Sequence, residues 1–295
     1  MIRTRRLLHL VPASWRPYIR HMRLRAFPLV AAHFSAGAIL AGELRFTPGM
    51  LWQWLAGIVL WAGFGHSGTL ALNSAFDRDE GDIGYLSDPP PVPRYLWLFG
   101  LALLLLGALG AAFLPPQFLL VYLVCTAMSV AYSVPPIRLK ALAGADVLNN
   151  ALGYGVLTLY GGWAALGRGL NPTIVLVSAG FFCLAAAAYP LTQIYQYEED
   201  VARGDRTLVI ALGKRNALRW SVAFVLVSFG FLGAAAWQYH RTAASLFLLV
   251  AFVAWPLVLI PWNARPDVYP EQKGMYRALS AWALTDLGVI LALLL

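Results

Sequence analysis

The chain has 295 residues, of which 60% are hydrophobic and only 12% charged, and its mean hydropathy is +0.65. Soluble domains of this size carry about 25% charge, so the composition excludes an ordinary water-soluble globule. The net charge of +8 is spread along the edges of apolar stretches rather than gathered on one face. That distribution argues against nucleic acid and for membrane lipids as the partner of the basic residues.

In chain order, residues 1–25 form a basic arm carrying Arg3, Arg5, Arg6, Arg16, Arg20, Arg23 and Arg25. Its one apolar run, Leu8 to Val11, is too short for a signal-peptide core, so the arm is expected to remain as a cytoplasmic anchor. Apolar stretches follow at roughly 26–42, 52–72, 95–113, 117–134, 147–166, 173–193, 218–238, 243–260 and 276–295. Helices of about these lengths cross ~30 Å of hydrocarbon and satisfy their own backbone groups there. The ten-residue alternation of a membrane barrel is not evident. The expected fold is therefore all-α, one polytopic domain over residues 1–295 with nine transmembrane helices. Pro256 is expected to kink the eighth. Asp286, inside the ninth, calls for a partner or a cavity. Cys125 and Cys183 fall in apolar stretches and read as small buried hydrophobes.

Charge orients this arrangement. With a cytoplasmic N-terminus, nineteen Lys and Arg residues are inside or juxtamembrane on the inner face, and only Arg45, Arg168 and Arg241 are outside. That asymmetry fits the tendency of basic residues to stay on the cytoplasmic side, here of a prokaryotic cell membrane. The tendency does not govern Asp and Glu, yet twelve of the fourteen also fall on the inner face. They gather after the second and sixth stretches.

The first cluster runs from Asn73 through Asp77, Asp79, Glu80 and Asp82. Asn73 and Asp77 are four apart and share a helical face. An amide oxygen and a carboxylate suit Mg²⁺, which takes hard oxygen ligands and commonly shares substrate phosphate oxygens; a solvated acidic loop is the plainer reading. Asp79, two residues on, would turn away in a regular helix. The second cluster places Gln193, Gln196 and Asp200 on one expected helical stripe, with Glu198 and Glu199 beside them. Between the clusters, Tyr132-Ser133-Val134-Pro135-Pro136-Ile137-Arg138-Leu139-Lys140 ends a helix with two prolines. Arg138 and Lys140 then serve either as orienting charges or as a grip on phosphoryl oxygens. Paired acidic sites with nearby bases suit the departure of a diphosphate, whose charge metal ions neutralise. An allylic cation left behind is stabilised by aromatic faces, and Phe76, Tyr132, Tyr189, Tyr195 and Tyr197 flank the clusters.

These features together resemble the UbiA superfamily of intramembrane prenyltransferases. The similarity rests on both acidic motifs and on the Tyr-Ser-x-Pro-Pro-x-Arg-x-Lys segment. It implies a helical bundle around a central cavity and Mg²⁺-dependent transfer of an isoprenyl group from an isoprenyl diphosphate to an aromatic or other lipophilic acceptor. On the matching positions it implies Asp77 and Asp200 as the catalytic pair, and Asn73, Asp77, Asp82, Glu198 and Asp200 as metal ligands. Arg138, Lys140, Asn73, Tyr132, Gln193 and Gln196 would hold the diphosphate. The chain departs from the motifs: Ser74 and Gly81 replace two aspartates of the first, and Gln193 and Gln196 stand for acidic or amide residues in the second. A terpene cyclase of the same superfamily, or a non-catalytic scaffold or transporter, are the competing functions. Product mass with and without an acceptor separates the first, and Mg²⁺-dependent diphosphate binding the second.

Overall fold

The structure is a computed structural model in which residues 11–77, 81–238 and 245–295 are described in full and 242–244 as backbone. It is all-helical apart from two isolated β-bridges among the described residues. A short helix α1 (Arg16–His21) leads through a 3₁₀ turn into α2 (Phe27–Gly42). Helix α3 (Pro48–Asp77) contains a π-helical segment, Val59–His66. Helices α4 (Leu96–Ala111) and α5 (Pro116–Ser133) follow, then α6 (145–165), whose middle, Ala151–Leu157, is also π-helical. Helix α7 (Pro172–Tyr195) precedes the short α8 (Tyr197–Arg203) and α9 (Leu208–Leu212). The chain ends with α10 (Lys214–Trp237), α11 (Thr242–Ala264) and α12 (Glu271–Leu294).

Local chemistry sets several of these starts. Pro48, Pro116 and Pro172 open helices where the missing N–H costs nothing. Thr47 and Asn171 cap theirs by accepting from the N–H groups of Met50 and Ile174. Seven helices among the described residues are long and apolar enough to cross a membrane. They are the Arg16–Gly42 run together with α3, α5, α7, α10, α11 from Ser245, and α12. Of the other two expected stretches, α4 has only 16 residues, and α6 is long enough but is made less apolar by Asp146, Asn149 and Asn150. Large apolar side chains such as Phe113, Leu109, Leu120 and Leu257 face outward, the arrangement that lipid solvates. The chain is an integral, multi-pass membrane protein.

Helix α7 is central: 72% of its most apolar window is buried, against 50% or less in the other six. The run Ala185–Ala188 lets neighbours approach it closely. Elsewhere glycine does the same work. A Cβ on Gly162 would collide with the carbonyl of Phe34, and one on Gly37 with the carbonyl of Leu159, so α2 and α6 touch backbone to backbone. Gly68 and Gly100 do this for α3 and α4. Close approach of small residues is the main source of helix cohesion in lipid, where burial of apolar surface contributes little.

One sequence expectation is corrected here. Gln193, Gln196 and Asp200 do not lie on one continuous helical stripe, because Gln196 (φ −102°, ψ 11°) separates α7 from α8. The side chain of Gln193 is drawn away to Asp146, and the turn at Gln196 then redirects the chain.

Candidate active site

A cavity of about 300 Å³ opens inside the bundle, at the lower end of the size of small-molecule sites. One end is polar and includes Asn73, Asn149, Asn150, Thr192 and Gln196. The other is lined by Leu29, Val30, Trp61, Leu104, Tyr122 and Trp282. Tyr132 and Tyr189 stand in the wall with their hydroxyls hydrogen-bonded to each other.

Beyond the polar end, one helical turn past Asn73 and Gln196, charges alternate in sign. The Lys140 ammonium is paired with Asp77 Oδ1, and Arg138 Nη2 lies 3.8 Å from the same oxygen. Arg138 also grips Asp205, with Nη1 to Oδ1 at 2.5 Å and Nη2 to Oδ2 at 3.3 Å. Arg203 bridges onward, from Asp205 Oδ2 (3.3 Å) to Asp200 Oδ1 (2.5 Å). The two acidic clusters, more than a hundred residues apart in the chain, are thus joined through bases. The backbone supports this junction, since the Arg206 N–H donates to Ala141 O at 3.0 Å. Arg138 holds a left-handed backbone (φ 39°), uncommon without glycine. Strain of that kind persists only where surrounding contacts over-determine it, here the carboxylates of Asp77 and Asp205.

Burial sets the proton affinities outside the spans. It pushes the Asp200 carboxyl up to about 6, against the opposing pull of Arg203. It lowers the Lys140 ammonium to about 7, with Arg203 adding to the effect and Asp205 and Asp200 acting against it. Both groups are therefore poised closer to neutrality than in water.

Of the expected site residues, the structure brings Asn73, Asp77, Tyr132, Arg138, Lys140, Gln196 and Asp200 to the polar end of the cavity or the charge network beyond it. It places three elsewhere. Gln193 is buried behind the wall, its Nε2 donating to Asp146 Oδ2 at 2.5 Å. Asp82 is exposed and its Oδ1 accepts from the Asp88 N–H at 2.8 Å. Glu198 is exposed, 3.9 Å from Lys214. Asp79 lies outside the described residues.

Sequence reasoning missed Asp146, Asp205 and Arg203. Asp146 is fully buried and accepts from Val147 N, Gln193 Nε2 and Leu208 N, tying α6 to α7 and α9. Its only signal was a lone carboxylate at the threshold of an apolar stretch. The basic arm also does more than orient the chain. Arg20 donates to the carbonyls of Ser87 (3.0 Å) and Asp88, and His21 Nε2 to that of Pro90 (3.1 Å). Those bonds hold the 81–94 loop over the cavity, where Gly84 and Tyr85 form part of the wall. Tyr195 Oη, donating to Asp82 O at 3.0 Å, and Tyr276 Oη, accepting from Tyr85 N–H at 3.2 Å, pin the same loop. The partner expected for Asp286 is His33, whose Nδ1 is 2.6 Å from Asp286 Oδ1 at the apolar end.

A polytopic helical bundle encloses an aromatic cavity beneath paired carboxylates and bases, the architecture of a membrane-embedded enzyme, and the comparisons identify its class. Residues 29–273 match the UbiA prenyltransferase family. The chain belongs to that family and is a prenyltransferase. It is 31% identical over 271 residues to digeranylgeranylglyceryl phosphate synthase of Natronomonas pharaonis, covering 86% of this chain and 91% of that protein. A UbiA homolog from Archaeoglobus fulgidus, solved bound to DMAPP and Mg²⁺, superposes with a TM-score of 0.69 at 23% identity, over 91% of this chain and 98% of that one. The apo UbiA homolog from Aeropyrum pernix K1 has a TM-score of 0.66 at 19% identity, over 89% and 96%.

Proposed function

We propose that the chain transfers an isoprenyl group from an isoprenyl diphosphate, held with Mg²⁺, to a lipophilic acceptor in the membrane. The observation that carries this reading is the network joining Asp77 to Asp200 beyond the polar end of an aromatic cavity. The donor set is wholly oxygen. Mg²⁺ keeps several waters and takes part of its shell from phosphate, so a few protein oxygens suffice. Asn73, Asp77 and Asp200 would hold Mg²⁺, and Asp82 and Glu198 would have to turn to join them; Gln196 would meet the diphosphate, whereas Gln193 is held away by Asp146. When bound, the ion neutralises the diphosphate and the charge it gains on leaving.

In this reading the bases act by exchange. Lys140 and Arg138 rest on Asp77 and Asp205 and move to phosphoryl oxygens when substrate enters, leaving the carboxylates to the metal. Tyr132, Tyr189, Trp61 and Trp282 line the space for the isoprenyl group, where ring faces stabilise an allylic cation and keep water from it. The relative's name supports a glyceryl phosphate lipid as the acceptor class, with a hydroxyl as nucleophile. Mass spectrometry of products made from isoprenyl diphosphates of several lengths and a membrane lipid extract tests the assignment. No product with any of them sinks it.

Arg138→Ala combined with Lys140→Ala should weaken Mg²⁺-dependent binding of a non-hydrolysable isoprenyl diphosphate analogue by about tenfold or more, since charge-assisted hydrogen bonds contribute ~1.5–3 kcal/mol each. Isothermal calorimetry in detergent reads this directly, and unchanged affinity would reduce the two bases to orienting charges.

The same reading has α4 and α6 crossing the bilayer, nine crossings in all, with the N-terminus and both acidic clusters cytoplasmic. The distribution of Lys and Arg supports it. In a background lacking Cys125 and Cys183, Glu198→Cys should resist a membrane-impermeant thiol reagent in intact cells and react after lysis. Labelling without lysis would reverse the orientation.

A further inference from the structure

Both π-helical segments face the same cavity. Val59–His66 contributes Trp61, Gly65 and His66, and Ala151–Leu157 contributes Gly153 and Tyr154. π turns are rare and recur at functional sites, because the extra residue re-aims a side chain that a regular helix would place elsewhere. Here the two turns bring one pair of side chains together. Tyr154 Oη lies 3.1 Å from His66 Nδ1, with the rings edge to face at 5.6 Å and 77°. The other ring nitrogen, His66 Nε2, is buried and has no partner among the described residues. A buried nitrogen left unpaired in this way requires an explanation. Thr69, one turn along α3 from His66, does not pair with it; its hydroxyl lies 2.8 Å from Ser129 Oγ and 2.9 Å from Gly65 O. The acidic clusters and their bases, which account for the diphosphate, make no use of this imidazole.

We propose that His66 is the proton acceptor for the nucleophilic hydroxyl of the acceptor lipid, positioned by Tyr154. This rests on the transferase reading above and assigns to it the group that activates the acceptor. In the tautomer this role requires, Nδ1–H donates to Tyr154 Oη and the Nε2 lone pair is free. The acceptor oxygen forms a bond to C1 of the isoprenyl group while the bond from C1 to the diphosphate oxygen breaks, its electron pair leaving with the diphosphate. The hydroxyl proton moves to Nε2, and imidazolium releases it to water as product departs. A hydroxyl needs such a base because its proton stays weakly acidic until the new bond is well formed. A carbon nucleophile becomes strongly acidic only after attack and makes no comparable demand.

The test uses the full chain in mixed micelles with geranyl diphosphate, Mg²⁺ and a monoalkylglyceryl phosphate bearing a free hydroxyl. His66→Gln keeps a polar side chain but no base, and its kcat should fall by about a hundredfold or more, the usual worth of a positioned base. Its KM and Mg²⁺-dependent affinity for geranyl diphosphate should be unchanged. Added imidazole should restore turnover to His66→Ala and not to His66→Gln. Tyr154→Phe should lower kcat without weakening geranyl diphosphate binding. A smaller loss in His66→Gln, or no rescue of His66→Ala, overturns the assignment. Wild-type protein that binds geranyl diphosphate with Mg²⁺ but leaves the alcohol unmodified overturns it alone. Wild-type protein that does not bind geranyl diphosphate overturns the transferase reading with it.

Discussion

Asp77→Asn and Asp200→Asn should each lower turnover about a hundredfold, from the loss of about 3 kcal/mol of stabilisation as the diphosphate departs. Asparagine preserves size and one oxygen, so the change isolates charge. At position 77 it also removes the anion that Lys140 and Arg138 rest on. At position 200 it frees Arg203 from one of its two carboxylates, leaving Asp205. Glu198→Gln is the informative contrast, because that side chain is exposed toward Lys214. It should cost less than about tenfold, the loss expected of a charge screened by solvent rather than aimed at the reacting group. The measurement is turnover of the three variants across a Mg²⁺ titration, with monodispersity in detergent as the folding control. Near-normal turnover by well-folded Asp77→Asn or Asp200→Asn would remove the carboxylate pair from the mechanism. A collapse confined to Glu198→Gln would show that the first turn of α8 moves inward on binding.

The second large effect concerns stability. His33 sits between Asp286 Oδ1 (Nδ1, 2.6 Å) and the carbonyl of Gly155 (Nε2, 3.3 Å), packed against the rings of Phe181 and Trp282. Pairing with the imidazole is what makes a carboxylate tolerable at this depth. The contact fastens α2, α6 and α12 together. Asp286→Leu alone should destabilise the fold by about 3–5 kcal/mol, the usual consequence of removing one partner of a buried pair. His33→Phe with Asp286→Leu should recover most of that loss, because well-packed apolar replacements of buried ion pairs are often neutral. Reversible unfolding in mixed micelles, run as a double-mutant cycle, gives the coupling. Additive single effects would mean that the two residues stabilise the bundle independently.

Much of this site was readable along the chain. Asn73, Asp77 and Asp200 are polar or charged residues at the edges of apolar helices, and such placement is expensive unless it is used. Arg138 and Lys140 follow two prolines, so their departure from a regular helix was evident. Asp286 announced itself as a carboxylate in an apolar span, and the structure supplied His33 as its partner. What could not be read was pairing. Nothing in the local sequence distinguishes Gln193, which turns to the buried Asp146, from Gln196, which reaches the cavity. Asp205 resembles any acidic loop residue until the strand-like contact between 141–142 and 206 brings Arg138 to it.

The sequence by itself determined that the protein is an all-helical membrane protein whose acidic clusters lie at the ends of its apolar spans. That follows because hydropathy, basic asymmetry and the cost of stranded carboxylates are local properties, each paid in a single helix. The tertiary structure alone decided which carboxylate meets which base, which amide is spent on holding the scaffold, and that two π-helical turns bring Tyr154 to His66. Those outcomes depend on distances between helices. In lipid such distances are set by where glycine and alanine let two backbones touch, as at Gly37 and Gly162, and no residue on one helix specifies them without its counterpart on the other.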